Sequence, residues 1–207
     1  MFQIIIILAM ISMASSAEIL FKNDFLMDNN GWRITGNKVE EPAVHQSYNL
    51  NQDMSHYIMF KDNLINSEPK NPTDRTLWYF ESALIIINPN HKYESTASKQ
   101  YKPIYPTVLT FTMTSFVGDF RRLNADLDLV RIKNGANCIT FQAPEYNGEM
   151  QTFNVPIVRQ LWRFDNGAEI TDEEFKNIFI GPFIIEILGD WTQGMEVIGL
   201  DNVIIWK

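Results

Sequence analysis

The segment TVLTFTMTS, residues 107–115, sets Leu109, Phe111 and Met113 against Thr110, Thr112 and Thr114. A period of two sends one set inward and the other toward water, so this stretch predicts a half-buried β-strand. DLDLVRI, residues 126–132, begins the same way, with Leu127 and Leu129 opposite Asp126 and Asp128, and then loses parity at Val130. One extra residue in a strand produces such a change, so a bulge or twisted edge is expected there. Apolar runs at His56–Phe60, Thr76–Ala83, Cys138–Phe141, Met150–Val155, Phe183–Leu188 and Val197–Trp206 predict further strands, separated by Gly, Asn and Pro turns. Asn29, Asn30 and Gly31 favour a turn ahead of Trp32, which is expected to be a packing anchor beside Ile34. Val39–Met54 and Lys61–Arg75 read as polar, proline-interrupted connections.

ITDEEFKNIF, residues 170–179, carries the signals of a helix. Thr171 is placed to cap it, Glu174 to reciprocate at the third helical position, and Ile170 to pack on Phe175. Phe175, Ile178 and Phe179 then form an apolar stripe, against an outer face with Glu173 and Lys176, suited to covering an open end of a sandwich. Many strands and a single short helix near 172–179 predict an all-β, antiparallel β-sandwich rather than a doubly wound fold.

The N-terminal residues change the compartment expected. An apolar core from Ile4 to Ile11 is followed by Ser15 and Ala17, a small-x-small pattern that reads as a signal peptide over residues 1–17, although no Lys or Arg precedes the core. The run is short for a membrane span, and an uncleaved anchor is the alternative. Residues 18–207 then form one domain, expected to be secreted or in the lumen of the secretory route. The formal charge of −8 argues against a nucleic-acid surface, and no phosphate-cradling glycine motif points to a nucleotide. Cys138 is the single cysteine, so no internal disulfide is available and a buried, inert thiol is expected. His45, His56 and His91 show no metal-ligand spacing.

In their order, NNGWRITGN, LWYFESA, TFNVPI (152–157), ITDEEFKNI (170–178) and GLDNVII (199–205) resemble the laminin IV type A, or laminin B, domain family. The resemblance covers most of residues 18–207. It implies a jelly-roll sandwich of the galactose-binding-like type, similar in architecture to many carbohydrate-binding modules, in a noncatalytic module of matrix and cell-surface proteins. The Cys-rich EGF-like repeats that usually flank the family's domain are missing, so the chain resembles a nearly stand-alone secreted copy. The resemblance also places Leu200 and Val203–Ile205 in the core, allows close passage or a bulge at Gly199, and puts Asp201 near the sandwich edge where the first and last strands approach.

Three chemistries follow for the polar residues. Asp24 and Asp201, with backbone carbonyls of residues 21–24, would supply oxygen ligands for a structural calcium ion if the terminal strands pair; the bland alternative has Asp201 and Asn202 bonded to nearby backbone or to an arginine. No other cofactor is expected. Tyr48, Tyr57, Tyr93, Tyr101 and Tyr105 are a pool of aromatic platforms for a glycan, with Tyr93, Tyr101 and Tyr105 in KYESTASKQYKPIYP (92–106) the candidates, or else anchors that hold that loop down. A glycosidase would need two carboxylates at a defined separation, which composition alone does not supply, and no hydrolase signature appears. The expected function is a noncatalytic extracellular interaction, adhesion or assembly module whose partner is an extracellular or cell-surface protein. Carbohydrate binding is the alternative, and a glycoside hydrolase the remote one.

Overall fold

The alternation that marks the Thr107–Ser115 segment becomes the seventh strand of a two-sheet sandwich. The structure, a computed structural model, describes residues 17–36, 41–42, 44–50, 54–62, 77–88, 103–121, 123–124 and 126–207. Most of the expected leader lies outside these residues. In chain order the elements are β1 (Ile19–Asn23), β2 (Arg33–Gly36), β3 (Glu41–Pro42), β4 (Val44–Leu50), β5 (Met54–Asp62), β6 (Trp78–Glu81), β7 (Val108–Val117), β8 (Asp128–Asn134), β9 (Asn137–Gln142), β10 (Gln151–Pro156), β11 (Trp162–Phe164), α1 (Asp172–Ile178), β12 (Ile184–Leu188) and β13 (Glu196–Trp206). One sheet runs β10-β7-β13-β5-β4, with β1 also on β13; the other runs β11-β9-β8-β12-β6-β2-β3. Every pairing between these strands is antiparallel.

In β7, Leu109, Phe111 and Met113 are fully buried, and Phe111 stacks on Phe153 of β10 at 5.2 Å. The threonine face stays half-exposed, with Thr112 and Thr152 hydroxyls bonded at 3.1 Å across the strand pair. Burial of each such large apolar side chain contributes roughly 1.5–3 kcal/mol, so this alternation is what glues the sheet to the core. Trp32 packs as an anchor, with its ring edge-on to Phe25 and its indole N–H donated to Asn23 Oδ1 at 2.8 Å. The turn before it uses left-handed backbone at Asn30 and Gly31.

Helix α1 forms where its caps place it. The Glu174 N–H donates to Thr171 Oγ1 at 3.2 Å, and the Thr171 N–H donates back to Glu174 Oε2 at 2.9 Å, a closed capping box. Ile170, Phe175, Ile178 and Phe179 are buried. Asn134, at the end of β8, donates its side-chain N–H to the Ile178 carbonyl at 2.8 Å and so ties the helix C-terminus to that sheet.

Several boundaries differ from the sequence reading. The polar stretch 39–54 contains β3 and β4, and β11 was not signalled by periodicity. Strand β8 starts at Asp128, because Asp126 adopts a left-handed φ of 48°; the parity change is a register shift between Asp128 and Val130. Strand β13 lies inside its sheet, with β7 on one side and β5 followed by β1 on the other. The first and last strands do pair, yet Asp201 is buried where β13 changes partner rather than at a sheet edge. Ile204 is half-exposed, pointing away from buried Val203 and Ile205.

Candidate functional site

Two connections, β7 to β8 and β9 to β10, meet at one end of the sandwich and enclose an open groove of about 820 Å³. They are held together by the Ser115 N–H, which donates to the Gly148 carbonyl at 2.9 Å. Gly148 has a φ of +87°, and a Cβ there would sit 2.6 Å from the Phe120 ring, so only glycine lets the backbone pass under that ring. Phe120 is half-buried and meets buried Tyr146 edge-to-face at 5.2 Å. Tyr146 in turn packs on Phe153 and Trp191, so the groove floor is the outer end of the core's aromatic stack.

The rim is polar and carries both signs of charge. Arg121 is aligned by Asp119, with Nε on Oδ1 at 2.7 Å and a terminal nitrogen on Oδ2 at 3.0 Å, and its side chain remains 90 % exposed. Glu145 and Glu149 lie on the opposite connection, where Asn147 accepts the Glu149 N–H at 3.0 Å and shapes the turn. Met150 adds an exposed, adaptable apolar side chain. An apolar floor with directional donors and acceptors on facing walls suits an extended ligand that presents both apolar faces and polar groups.

Among the described residues, none of the sequence-nominated side chains lines this groove. Tyr93 and Tyr101 lie outside the described residues. Tyr105 is half-buried against the core, in a segment clamped by Asn88, whose Nδ2 donates to the Ile104 carbonyl and whose Oδ1 accepts the Ile104 N–H, both at 2.9 Å. Tyr57 is buried and stacks on Phe116 at 5.0 Å; it serves packing, and Gly199 leaves room for both rings. Asp24 pairs with Lys22 at 3.1 Å. Asp201 accepts the Asn202 N–H and side-chain N–H, while burial pushes its carboxyl up to about 6, helped by Asp24 and opposed by the Asn202 bond and by Lys22. Asp24 and Asp201 are thus neighbours, each with a partner of its own. Phe120 and Tyr146 escaped the sequence reading because each is a lone aromatic in a loop; the one local hint was the glycine beside each, Gly118 and Gly148.

No protein-family model matches the chain, and no curated protein matches it in sequence. Among solved structures, the L4b domain of human laminin alpha-2 is similar, with a TM-score of 0.55 at 9% identity over 90% of this chain and 96% of that one. The family 11 carbohydrate-binding module of a cellulosomal cellulase of Clostridium thermocellum also matches, with a TM-score of 0.44 at 10% identity over 93% of this chain and 95% of that one. At such identity the likeness to the laminin domain is one of fold alone, and the fold, two antiparallel sheets, is a jelly-roll-like β-sandwich.

Proposed function

We propose that this chain is a noncatalytic extracellular binding module of the laminin IV type A kind, which takes a segment of an extracellular or cell-surface protein in the Phe120–Tyr146 groove. The groove itself carries the reading: it is open, floored by aromatic rings and rimmed by Arg121 on one side and Glu145 and Glu149 on the other. A side chain of either charge on a partner finds a counterpart there, and an apolar one finds the Phe120 ring. Entry to the secretory route, with a mature end near Glu18, is part of the same proposal.

Carbohydrate is the second reading, favoured by the pairing of an aromatic ring with the carboxylate and amide groups of Glu145, Asn147, Glu149 and Gln151 on one rim. Screening the mature domain against a glycan array and an array of cell-surface ectodomains separates the two. Saturable binding to ectodomains, lost in Phe120→Ala, supports the protein reading, whereas glycan binding lost in the same variant shifts the ligand class. Turnover of a glycoside substrate that requires Glu145 and Glu149 contradicts both.

A further inference from the structure

A sheet edge presents a row of unpaired N–H and C=O groups, and proteins blunt such rows with charge, proline, a bulge or a covering segment. The other edges among the described residues follow that rule. Strand β3 is two residues long and ends at Pro42. Strand β11 has three residues, one of them Arg163, and its Phe164 N–H donates to the Ala168 carbonyl at 3.0 Å. Strand β1 carries Lys22 and a register shift between Ile19 and Phe21, and β4 a register shift between Ser47 and Leu50. Strand β10 ends its sheet with none of these devices: its residues QTFNVP are uncharged, they pair with β7 in unbroken register, and proline comes only at the last position.

The phase of the ladder decides which groups this edge offers. Hydrogen-bonded and open pairs alternate between antiparallel strands. Just past β10 the Ile157 N–H donates to the Thr107 carbonyl at 2.8 Å, so Val155, Phe153 and Gln151 turn their main-chain groups to β7. Those of Thr152 and Asn154 turn to the open side, where no other strand lies among the described residues. Both residues are exposed, whereas Phe153 and Val155 are buried and fix the strand to the core. The open stretch is short, because Pro156 has no N–H and its carbonyl accepts the Trp162 indole N–H at 2.9 Å.

The two ends of the edge point to what sits on it. Gln151, the first residue of β10, and Met150 before it both line the groove. Met150 is exposed, and so are Val158 and Leu161 past the other end. Two residues of ladder are too few to hold two copies of the chain together, since an isolated strand pair is marginal in water. A segment that runs on from the ladder into the aromatic-floored groove gains main-chain bonds and side-chain contacts together. Strand addition works in this way, with affinity from the main chain and specificity from pockets.

We propose, resting on the protein-binding reading of the groove, that an extended segment of the partner protein adds to β10 as a further antiparallel strand. It bonds the main chain of Thr152 and Asn154 and passes Gln151 into the Phe120–Tyr146 groove. A glycan lacks the alternating N–H and C=O row that this edge pairs with, so the ligand is a polypeptide.

Overlapping synthetic peptides that tile the ectodomain selected on the array are the probes, read by calorimetry and by residue-resolved amide exchange of the mature chain. One peptide should bind alone. The Thr152 and Asn154 amides, which exchange freely in the unbound chain, should slow by about tenfold or more in its presence. N-methylation of alternate amides in that peptide should abolish binding. Asn154→Pro removes an outward N–H and leaves the bonds to β7, so it should weaken the peptide roughly fivefold, the worth of one hydrogen bond. Binding that needs Phe120 yet leaves both amides unprotected overturns the added strand and spares the groove, as does binding by the folded ectodomain with none of its peptides. No ectodomain binding at all overturns the groove reading and the strand with it. Protection of the two amides that rises with the concentration of the chain alone places a second copy on the edge and overturns the proposal. The exchange and N-methylation arms decide even if Asn154→Pro fails to fold.

Discussion

The Asp201 carboxylate turns back on Asn202: Oδ1 accepts its backbone N–H at 2.6 Å and Oδ2 its side-chain N–H at 2.9 Å. Asn202 has a φ of 50°, and between the pairs Asp201–Thr112 and Ile204–Thr110 two residues of β13 oppose the single Phe111 of β7. This is a β-bulge with its left-handed position filled by asparagine, a residue that tolerates that conformation. The Asp–Asn pair inside an otherwise apolar strand is therefore a device that lets β13 leave β5 and take up β1.

The device has a pH signature. The Asp201 carboxyl is pushed up to about 6 in the fold, from 3.8 for an ordinary aspartate, so between those values the folded chain binds more protons than the unfolded one. Stability contributed by this group thus falls as pH rises through that window, by up to ~3 kcal/mol, and stays low above it. Asp201→Asn retains an oxygen for the Asn202 N–H and removes the charge. In chelator, urea unfolding should find the variant close to wild type at pH 4 and more stable at pH 7.5. An equal pH dependence in the two proteins would contradict this origin.

Gly189 is the tightest approach in the core. A Cβ there would lie 1.9 Å from the fully buried Trp78 ring, while the Gly189 and Asp190 N–H groups both donate to the Trp78 carbonyl. Gly189→Ala should cost several kcal/mol by overpacking, with a matching drop in melting temperature. Gly194→Ala, where a Cβ meets nothing within 4 Å, is the control and should be near neutral.

Cys138 should behave as an inert thiol. Burial, reinforced by Asp165, pushes it up to about 11. Only about one thiol in a thousand is then ionised at pH 8, so reaction with a disulfide reagent should be slow until the chain unfolds. The thiol is half-buried rather than enclosed in the core as the sequence predicts, and rapid stoichiometric labelling of the folded protein would contradict its inertness.

Much of the fold was legible because its signals are local. The Leu109–Met113 alternation, the Thr171–Glu174 box and the Val130 parity change each need only neighbouring residues, and each reappears in the fold. Strands β3 and β4 were not legible: their residues are polar, and pairing with β2 and β5 assigns them. The groove and the open β10 edge are products of topology. Nothing in the sequence says that Phe120 meets Tyr146, or that β10 ends its sheet, until the strands have paired.

The central claim is that the Phe120–Tyr146 groove is the binding surface. The most direct measurement is the affinity of a ligand recovered from the ectodomain or glycan arrays for wild type, Phe120→Ala and Arg121→Glu, with Leu26→Ser as an exposed control outside the groove. Loss of a central aromatic contact costs on the order of 2 kcal/mol or more, a drop in affinity of roughly thirtyfold, and the account predicts this for Phe120→Ala and a smaller loss for Arg121→Glu. Equal affinity across all four proteins would place the binding surface elsewhere and contradict the account.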